Sequence, residues 1–154
     1  MESLNNQLFD SMLMVIHSEI VMKHHGDLFI GGSRRFGYNI SNSDLDIFAF
    51  LPPLVTNQVI TDFEISGFVE TPKKIDYCPG LYAALTFKNS IHLNIFASQI
   101  PFEVLKTEHN RVEQFLLNNP ILTNFIKNLK GYDAHDSVRG VLIYTTLKNL
   151  SEVL

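Results

Sequence analysis

The segment from Gly31 to Asp46 combines two kinds of residue that handle phosphate groups. It opens with Gly-Gly-Ser, residues 31–33, and closes with Asp-Leu-Asp, residues 44–46. Glycine has no Cβ and tolerates positive φ, so backbone N–H groups at such a turn can approach a ligand closely. Two carboxylates supply the hard oxygen ligands that Mg²⁺ takes together with substrate phosphates. The combination predicts a site for a phosphorylated ligand and a divalent metal ion.

The glycine turn and the carboxylates each adjoin a predicted strand. Residues 27–32 form a short apolar run that ends in glycine, and residues 44–51 form a second run that two prolines close. Because side chains alternate along a strand, Asp44 and Asp46 are expected on one face and their apolar neighbours on the other. Two strands would therefore bring the turn and the carboxylates together.

Charged and hydroxyl side chains around the turn extend this prediction. The Ser33 hydroxyl and the backbone at Gly32 are predicted to hold phosphate oxygens, and Arg34 and Arg35 offer charge-assisted contacts. Taken singly, a Gly-Ser turn is usually a loop, a pair of acids is usually the polar face of a strand, and two arginines are usually solvated. Their order and spacing, after one strand and on the next, favour a functional site.

The remaining pattern predicts an α+β protein with a mixed β-sheet, flanking helices and a C-terminal helical segment. Residues 1–154 are expected to form a single domain, with an α/β core over 1–100 and a helical part over 101–154. The predicted helices cover residues 3–25, 54–65, 101–118, 120–130 and 136–153, and a predicted hairpin pairs residues 81–87 with residues 91–97.

Composition narrows the classes of protein to consider. The 154 residues carry a formal net charge of −4, so the chain has no global basic field of the kind that nucleic-acid-binding domains show. The single cysteine, Cys78, excludes an internal disulfide and a CxxC metal site, and it fits a reducing cytoplasm. No apolar run approaches the ~20 residues of a membrane span. His109 and His135 are isolated from any motif.

The motif spacing resembles that of the nucleotidyltransferase superfamily, which includes DNA polymerase beta, the aminoglycoside nucleotidyltransferases and the small minimal nucleotidyltransferases. The signature is a hydrophobic residue, Gly and Gly or Ser, then two acids that alternate with hydrophobic residues. Gly32-Ser33 match its first part and residues 44–47 its second. Gly37 and Ser43 also stand where smaller members often have glycine and serine. The surrounding order of helix, strand, strand and later hairpin agrees with the fold.

The resemblance implies transfer of a nucleoside monophosphate from a nucleoside triphosphate to an acceptor hydroxyl, with pyrophosphate leaving and with Mg²⁺ or Mn²⁺ as cofactor. Family members often have a basic residue slightly beyond the position of Arg34, which makes Arg35 the stronger candidate of the two arginines. The implied metal ligands are Asp44 and Asp46, and the implied nucleotide-binding residues are Gly32, Ser33, Arg34 and Arg35.

The third carboxylate of the family is missing from its expected place. On the later strand Asn94 stands where that acid is expected, and His92 shares its face. An asparagine oxygen can bind Mg²⁺ but cannot serve as a base, whereas His92 can serve as a base near neutral pH or simply pack. Asp76 and Glu70 are possible substitutes. We therefore expect nucleotide–metal binding to persist and transfer to be attenuated.

Two classes of function remain open. The first is a nucleotidyltransferase whose acceptor is a small molecule, a protein hydroxyl or an RNA end, with a long polynucleotide least favoured by the acidic charge. The second is a non-catalytic nucleotide-binding module or an antitoxin-like module that binds a protein partner, since some small members of the superfamily act as antitoxins.

Overall fold

A five-stranded mixed sheet with helices on both faces forms the centre of the protein. The computed structural model describes residues 2–40, 43–66, 69–73, 80–87, 90–132 and 137–153. The strands are β1 (Asp27–Gly31), β2 (Leu45–Phe50), β3 (Val69–Lys73), β4 (Leu81–Phe87) and β5 (Ile91–Phe96). The helices are α1 (Glu2–His17), α2 (Gly32–Phe36), α3 (Pro53–Ile65), α4 (Gln99–Leu117), α5 (Pro120–Tyr132) and α6 (Ser137–Val153), and a π-helical segment (Ser18–Lys23) continues α1.

The strand order is β1-β2-β5-β4-β3. The central pair, β2 and β5, is parallel, and the other three pairs are antiparallel. The predicted α+β class, the mixed sheet and the helical C-terminal segment are confirmed. Within the described ranges, no helix is both long and apolar enough to cross a membrane.

Three local predictions differ from the structure. The helix expected over 3–25 changes to π-helical geometry at Ser18, and the glycine turn continues directly into the short helix α2. The strand β3 was not predicted because it contains Pro72, which has no N–H to donate to a ladder. An edge strand tolerates such a residue, and β3 lies at the edge of the sheet.

One face of the sheet carries the main hydrophobic core. Alternate side chains of β2 and β5 point to this face and pack against α1, the π-helical segment and α3. Each fully buried aliphatic or aromatic side chain stabilises the fold by ~1.5–3 kcal/mol relative to an exposed one. The buried members are Ile16, Ile20, Leu45, Ile47, Ala49, Leu51, Val59, Phe63, Leu85, Phe87, Ile91, Leu93 and Ile95.

The opposite face carries an aromatic layer beneath α4. Phe29 of β1 stacks on Phe48 of β2, with ring centroids 5.2 Å apart. Phe102 of α4 inserts against Phe29 and against Phe96 of β5. Phe96 and Phe102 are fully buried. This layer fixes α4 across the sheet.

A row of polar positions follows next to the aromatic layer on the same face. The strand register places Gly31 opposite Asp46, Asp46 opposite His92, and His92 opposite Thr86. The side chains of Asp46 and His92 are 32% and 41% exposed. The aromatic layer and the polar row thus divide this face into a packed half and an accessible half.

His109 of α4 is enclosed by the aromatic layer. Its side chain is 3% exposed, and its ring lies 5.0–5.3 Å from four other aromatic rings. Those rings belong to Phe29, Phe36, Phe48 and Tyr144.

Burial keeps His109 neutral. Burial lowers its pKa to about 4, the Leu105 carbonyl 2.9 Å from Nδ1 acts in the opposite direction, and the Arg35 charge lowers the pKa further. The neutral ring therefore donates its Nδ1 proton to the Leu105 carbonyl. Nε2 then carries a lone pair.

Alanine substitutions at Gly31 and Gly140 are expected to have opposite effects on stability. A Cβ on Gly31 would lie 2.6 Å from the Phe48 ring and 2.7 Å from His109 Nε2, and overpacking of this kind costs ~1–3 kcal/mol. A Cβ on Gly140 meets no atom within 4 Å, and alanine in place of glycine inside a helix gains up to ~1 kcal/mol. Urea denaturation followed by circular dichroism measures both changes. Equal effects would contradict the packing at Gly31.

The stability of the wild type is expected to fall from pH 6.5 towards pH 4 through His109. An unfolded histidine takes up its proton near pH 6.5, whereas folded His109 does so only at about 4, so the unfolded chain binds more protons in this window. The loss is on the order of 3 kcal/mol. Urea unfolding at each pH measures the free energy of unfolding. In the variant His109→Leu this free energy should vary less with pH, while the neighbouring polar groups of Arg35, Glu108 and Tyr144 are the same in both proteins. Parallel profiles would show that folded His109 titrates normally.

Candidate active site

The end of β1 and the carboxylate of Asp46 are in direct contact. Gly31 lies opposite Asp46 in the register, and Gly32 follows with φ of +69°. A Cβ on Gly32 would collide with the Asp46 carboxylate. Glycine is required at Gly32 for its left-handed backbone and for this close approach. The turn and the carboxylate therefore lie on one side of the sheet, as the sequence predicts.

The loop between α2 and β2 holds Asp44 in place. Gly37, with φ of +84°, ends α2 in the left-handed conformation. Buried Ser43 accepts a hydrogen bond on Oγ from the Ile40 amide at 2.9 Å. Arg34 donates two hydrogen bonds to the Ser43 carbonyl, at 3.0 and 2.7 Å. These contacts anchor the residue that immediately precedes Asp44.

His92 lies between the two carboxylates. Its Nε2 is 3.3 Å from Asp44 Oδ2, and its Nδ1 is 3.9 Å from Asp46 Oδ1. The three side chains are 36%, 32% and 41% exposed for Asp44, Asp46 and His92 respectively. The parallel pairing of β2 with β5 produces this arrangement, because it sets His92 directly opposite Asp46. A ligand can reach all three side chains from solvent.

Asn94 lies away from this cluster. It pairs with Phe48 rather than with Asp46, which places it two residues, or ~6.6 Å, further along the strand. Its side chain is 4% exposed and Nδ2 donates to the Ile47 carbonyl at 3.3 Å. The structure therefore brings His92, and not Asn94, to the carboxylates.

Arg35 is bound to the fold through each of its guanidinium nitrogens. Nε donates to Glu113 at 2.8 Å, NH1 to the Ile30 carbonyl at 3.0 Å and NH2 to Asn110 at 2.5 Å. Its side chain is 14% exposed. Arg35 therefore joins the end of β1 to α4 in this structure, and Arg34 is similarly engaged with the loop before β2.

The other candidate residues occupy different regions. Ser33 is partly buried at the start of α2, next to Gly32. Glu70 belongs to β3, which β5 and β4 separate from β2. Asp76 lies outside the described residues.

Tyr38 is a neighbour of Asp46 that the sequence analysis did not identify. Its side chain is 4% exposed and its ring stacks on Phe36. Burial, and then the Asp46 carboxylate, raise the pKa of the Tyr38 hydroxyl. The hydroxyl therefore stays protonated near Asp46. A tyrosine in a loop carries no sequence signal for such a position.

Asp44 and Asp46 have the chemistry that a divalent ion needs. They are accessible carboxylates on neighbouring positions, and Mg²⁺ commonly takes one or two carboxylates together with waters and substrate phosphates. Among the described residues there is no group of three or more His, Cys, Asp or Glu side chains arranged around one ion position. An ion at this site would therefore depend on ligand oxygens as well as on protein.

No family model and no curated protein matches the sequence. Solved structures do match in fold. GLD-2 in its complex with RNP-8 aligns with a TM-score of 0.51 and 16% identity over 74% of this chain and 42% of that chain. The non-canonical poly(A) polymerase complex of GLD-2 with GLD-3 aligns with a TM-score of 0.49 and 16% identity over 71% and 37%. A cytoplasmic RNA terminal U-transferase aligns with a TM-score of 0.45 and 12% identity over 70% and 35%.

The present chain spans less than half the length of each of these proteins. The chain therefore shares its fold with GLD-2, and its mixed sheet with flanking helices is nucleotidyltransferase-like.

Proposed function

We propose that the protein is a nucleotidyltransferase that moves a nucleoside monophosphate from a nucleoside triphosphate to an acceptor hydroxyl. The observation that carries the proposal is the convergence of Asp44, Asp46 and His92 beside the Gly31-Gly32 turn. The carboxylates would hold Mg²⁺ or Mn²⁺, and the backbone of the turn, with Ser33, would face the triphosphate. The fold shared with GLD-2 in its RNP-8 complex supports the reaction class, because GLD-2 is named as a non-canonical poly(A) polymerase.

The carboxylates and the metal would act on the charge of the triphosphate. A divalent ion bound there supplies Lewis acidity and neutralises charge on the phosphate oxygens. Asp44 and Asp46 would fix the position of the divalent ion. Gly32 lets the turn lie against Asp46 with no side chain between them. The site thus holds the two halves of the reaction, phosphate binding and charge neutralisation, in contact.

His92 would accept the proton of the attacking hydroxyl. In the tautomer that carries its proton on Nε2, 3.3 Å from Asp44 Oδ2, the Nδ1 lone pair is available to accept a proton. The acceptor oxygen then forms a bond to the α-phosphorus while the bond to pyrophosphate breaks. His92 therefore takes the place that the third carboxylate has in the family resemblance.

A non-catalytic role is the second candidate, and the arginines favour it. Both guanidinium groups form hydrogen bonds within the fold. Neither is therefore free for the triphosphate without giving up those bonds. On this view the chain binds a protein partner, or a nucleotide held by the carboxylates and the turn without the arginines, and transfers nothing.

The proposal includes a cellular location and a class of acceptor. A reducing cytoplasm suits a chain with a single cysteine. The acceptor is a hydroxyl of a small molecule, a protein or an RNA end. The net charge of −4 disfavours a long polynucleotide.

Replacing both carboxylates is expected to remove metal-dependent nucleotide binding. The double variant Asp44→Asn with Asp46→Asn loses both proposed metal ligands. Loss of a residue that only supports a metal ligand weakens metal binding by ~10–100-fold. Because the double variant loses the ligands themselves, we expect its dissociation constants for non-hydrolysable nucleoside triphosphates with Mg²⁺ to rise by more than this. Its free energy of unfolding should change by less than ~1 kcal/mol, because accessible ion pairs contribute little.

Isothermal titration calorimetry with each of the four nucleotides measures this binding. A double variant that removes two exposed carboxylates on helices, Asp10→Asn with Glu64→Gln, is the matched control and should bind like the wild type. Unchanged Mg²⁺-dependent binding in the first variant would exclude the metal role of Asp44 and Asp46.

Substitutions at His92 are expected to separate catalysis from binding. His92→Gln cannot accept a proton and should lower pyrophosphate release by ~10²–10⁴-fold with little change in nucleotide affinity. His92→Asp supplies a carboxylate that can accept a proton and bind metal, so it should be at least as active as the wild type. Pyrophosphate release and transfer of labelled nucleotide in the presence of Mg²⁺ measure both.

Asn94→Asp provides the comparison for His92→Asp. A carboxylate at this buried position should destabilise the fold by on the order of 3 kcal/mol, without increasing transfer. A wild type that binds nucleotide but releases no pyrophosphate, together with an inactive His92→Asp, would favour the non-catalytic role. Activation by Asn94→Asp alone would show that Asn94 is the third position.

A further inference from the structure

His109 contacts the end of β1 on the face of the sheet that also carries Phe48 and Asp46. Its Nε2 lies 2.7 Å from the position that a Cβ on Gly31 would occupy, so the imidazole edge rests on the Gly31 backbone. Gly31 is opposite Asp46 in the register. The next residue, Gly32, touches the Asp46 carboxylate directly. Two residues thus connect His109 to a proposed metal ligand.

The His109 ring is held in one orientation. Nδ1 lies 2.9 Å from the Leu105 carbonyl and 3.3 Å from the Tyr144 hydroxyl of α6. Phe36 stacks on the ring with an interplanar angle of 27°. A ring with these contacts cannot rotate away from Gly31 without breaking a hydrogen bond and disturbing a stacked neighbour.

Arg35 provides a second connection between α4 and the same strand end. Its NH1 donates to the carbonyl of Ile30, the residue before Gly31, while Nε and NH2 bind Glu113 and Asn110 of α4. Helix α4 is therefore linked to two consecutive residues at the end of β1, to Gly31 directly through His109 and to Ile30 through Arg35 of α2. Such a double contact sets both the position and the direction in which the turn leaves the sheet.

We infer that His109 is a positioning residue for the candidate active site, which holds the Gly31-Gly32 turn against Asp46 and links that turn to α6 through Tyr144. The inference rests on the proposed function for its catalytic consequence. His109 acts through the turn and touches neither of the carboxylates. The helical C-terminal part is then a component of the site, because α4 and α6 both contribute to the position of the turn.

The test compares two ring-to-leucine substitutions on α4. His109→Leu removes the ring that rests on Gly31. Phe102→Leu removes a fully buried ring of the same aromatic layer, whose partners are Phe29, Phe50 and Phe96. Both variants lose core packing, so both should be less stable, but only the first should loosen the turn.

Amide hydrogen exchange measured by nuclear magnetic resonance provides a readout that needs no nucleotide. The amide of Gly37 donates to the carbonyl of Ser33, directly after the turn, at 2.9 Å. Its exchange rate, divided by that of Leu93 in the central strand, reports local opening of the segment that begins with the turn, apart from global unfolding. We expect this ratio to rise in His109→Leu and to keep its wild-type value in Phe102→Leu. Tyr144→Phe keeps the ring but removes the hydroxyl beside His109 Nδ1, so it should raise the ratio by a smaller factor. This variant replaces His109→Leu in the test if His109→Leu does not fold.

Pyrophosphate release per folded molecule is the second readout. Misplacement of a turn by about 1 Å costs up to ~10²-fold in rate, so His109→Leu should lose turnover and Phe102→Leu should not. Equal exchange ratios in the two leucine variants, or an unchanged ratio in Tyr144→Phe where His109→Leu does not fold, would overturn the inference. A wild type without nucleotide binding or turnover, but with the expected exchange ratios, would instead refute the proposed function and leave the positioning of the turn established.

Discussion

The contact between the Asp46 carboxylate and the backbone of Gly32 is the constraint on which the site depends. It exists because two consecutive residues lack a Cβ. At Gly31 the space of a side chain is taken by Phe48 and His109, and at Gly32 it is taken by Asp46 itself. Both glycines are therefore required by the packing of neighbouring side chains, and Gly32 also by its positive φ. Any side chain at these positions would separate the turn from the carboxylate.

The sheet register converts this local contact into a site. Because β1 is antiparallel to β2, the turn at the end of β1 meets the start of β2, where the carboxylates lie. Because β5 is parallel to β2, β5 also begins at this end of the sheet, and His92 therefore lies beside the carboxylates. The aromatic layer under α4 fills the other half of the face, and Asp46 and His92 in the polar row stay accessible beside it.

Much of this arrangement was predictable from local sequence. Periodic apolar runs and prolines predicted the strands β1, β2, β4 and β5 and the helices, and the motif spacing predicted that the turn meets Asp46. The position of His92 was not predictable, because it depends on the register between β2 and β5, and a shift of two residues would have brought Asn94 there instead. A single chain carries no signal that distinguishes these registers.

Other parts of the site depend on tertiary contacts. Arg34 and Arg35 follow the turn in sequence as a phosphate-binding pair would, yet their partners lie 5 to 78 residues away. His109 offered a weak signal, since it falls at helical spacing among the apolar residues of α4 that point to the sheet. A histidine on an apolar helix face is consistent with ordinary packing, and only its contact with Gly31 distinguishes it.

The proline of β3 affects whether another copy of the protein can add a strand to the sheet. A strand at the edge of a sheet offers unpaired N–H and C=O groups on which another chain can extend the sheet. Pro72 pairs with Leu85 on its inner side but has no N–H, and the register shifts between Val69 and Thr71. A bulge together with a missing donor interrupts the ladder that an incoming strand would need. The residue that hid β3 from sequence analysis therefore also makes this edge of the sheet a poorer template for another strand.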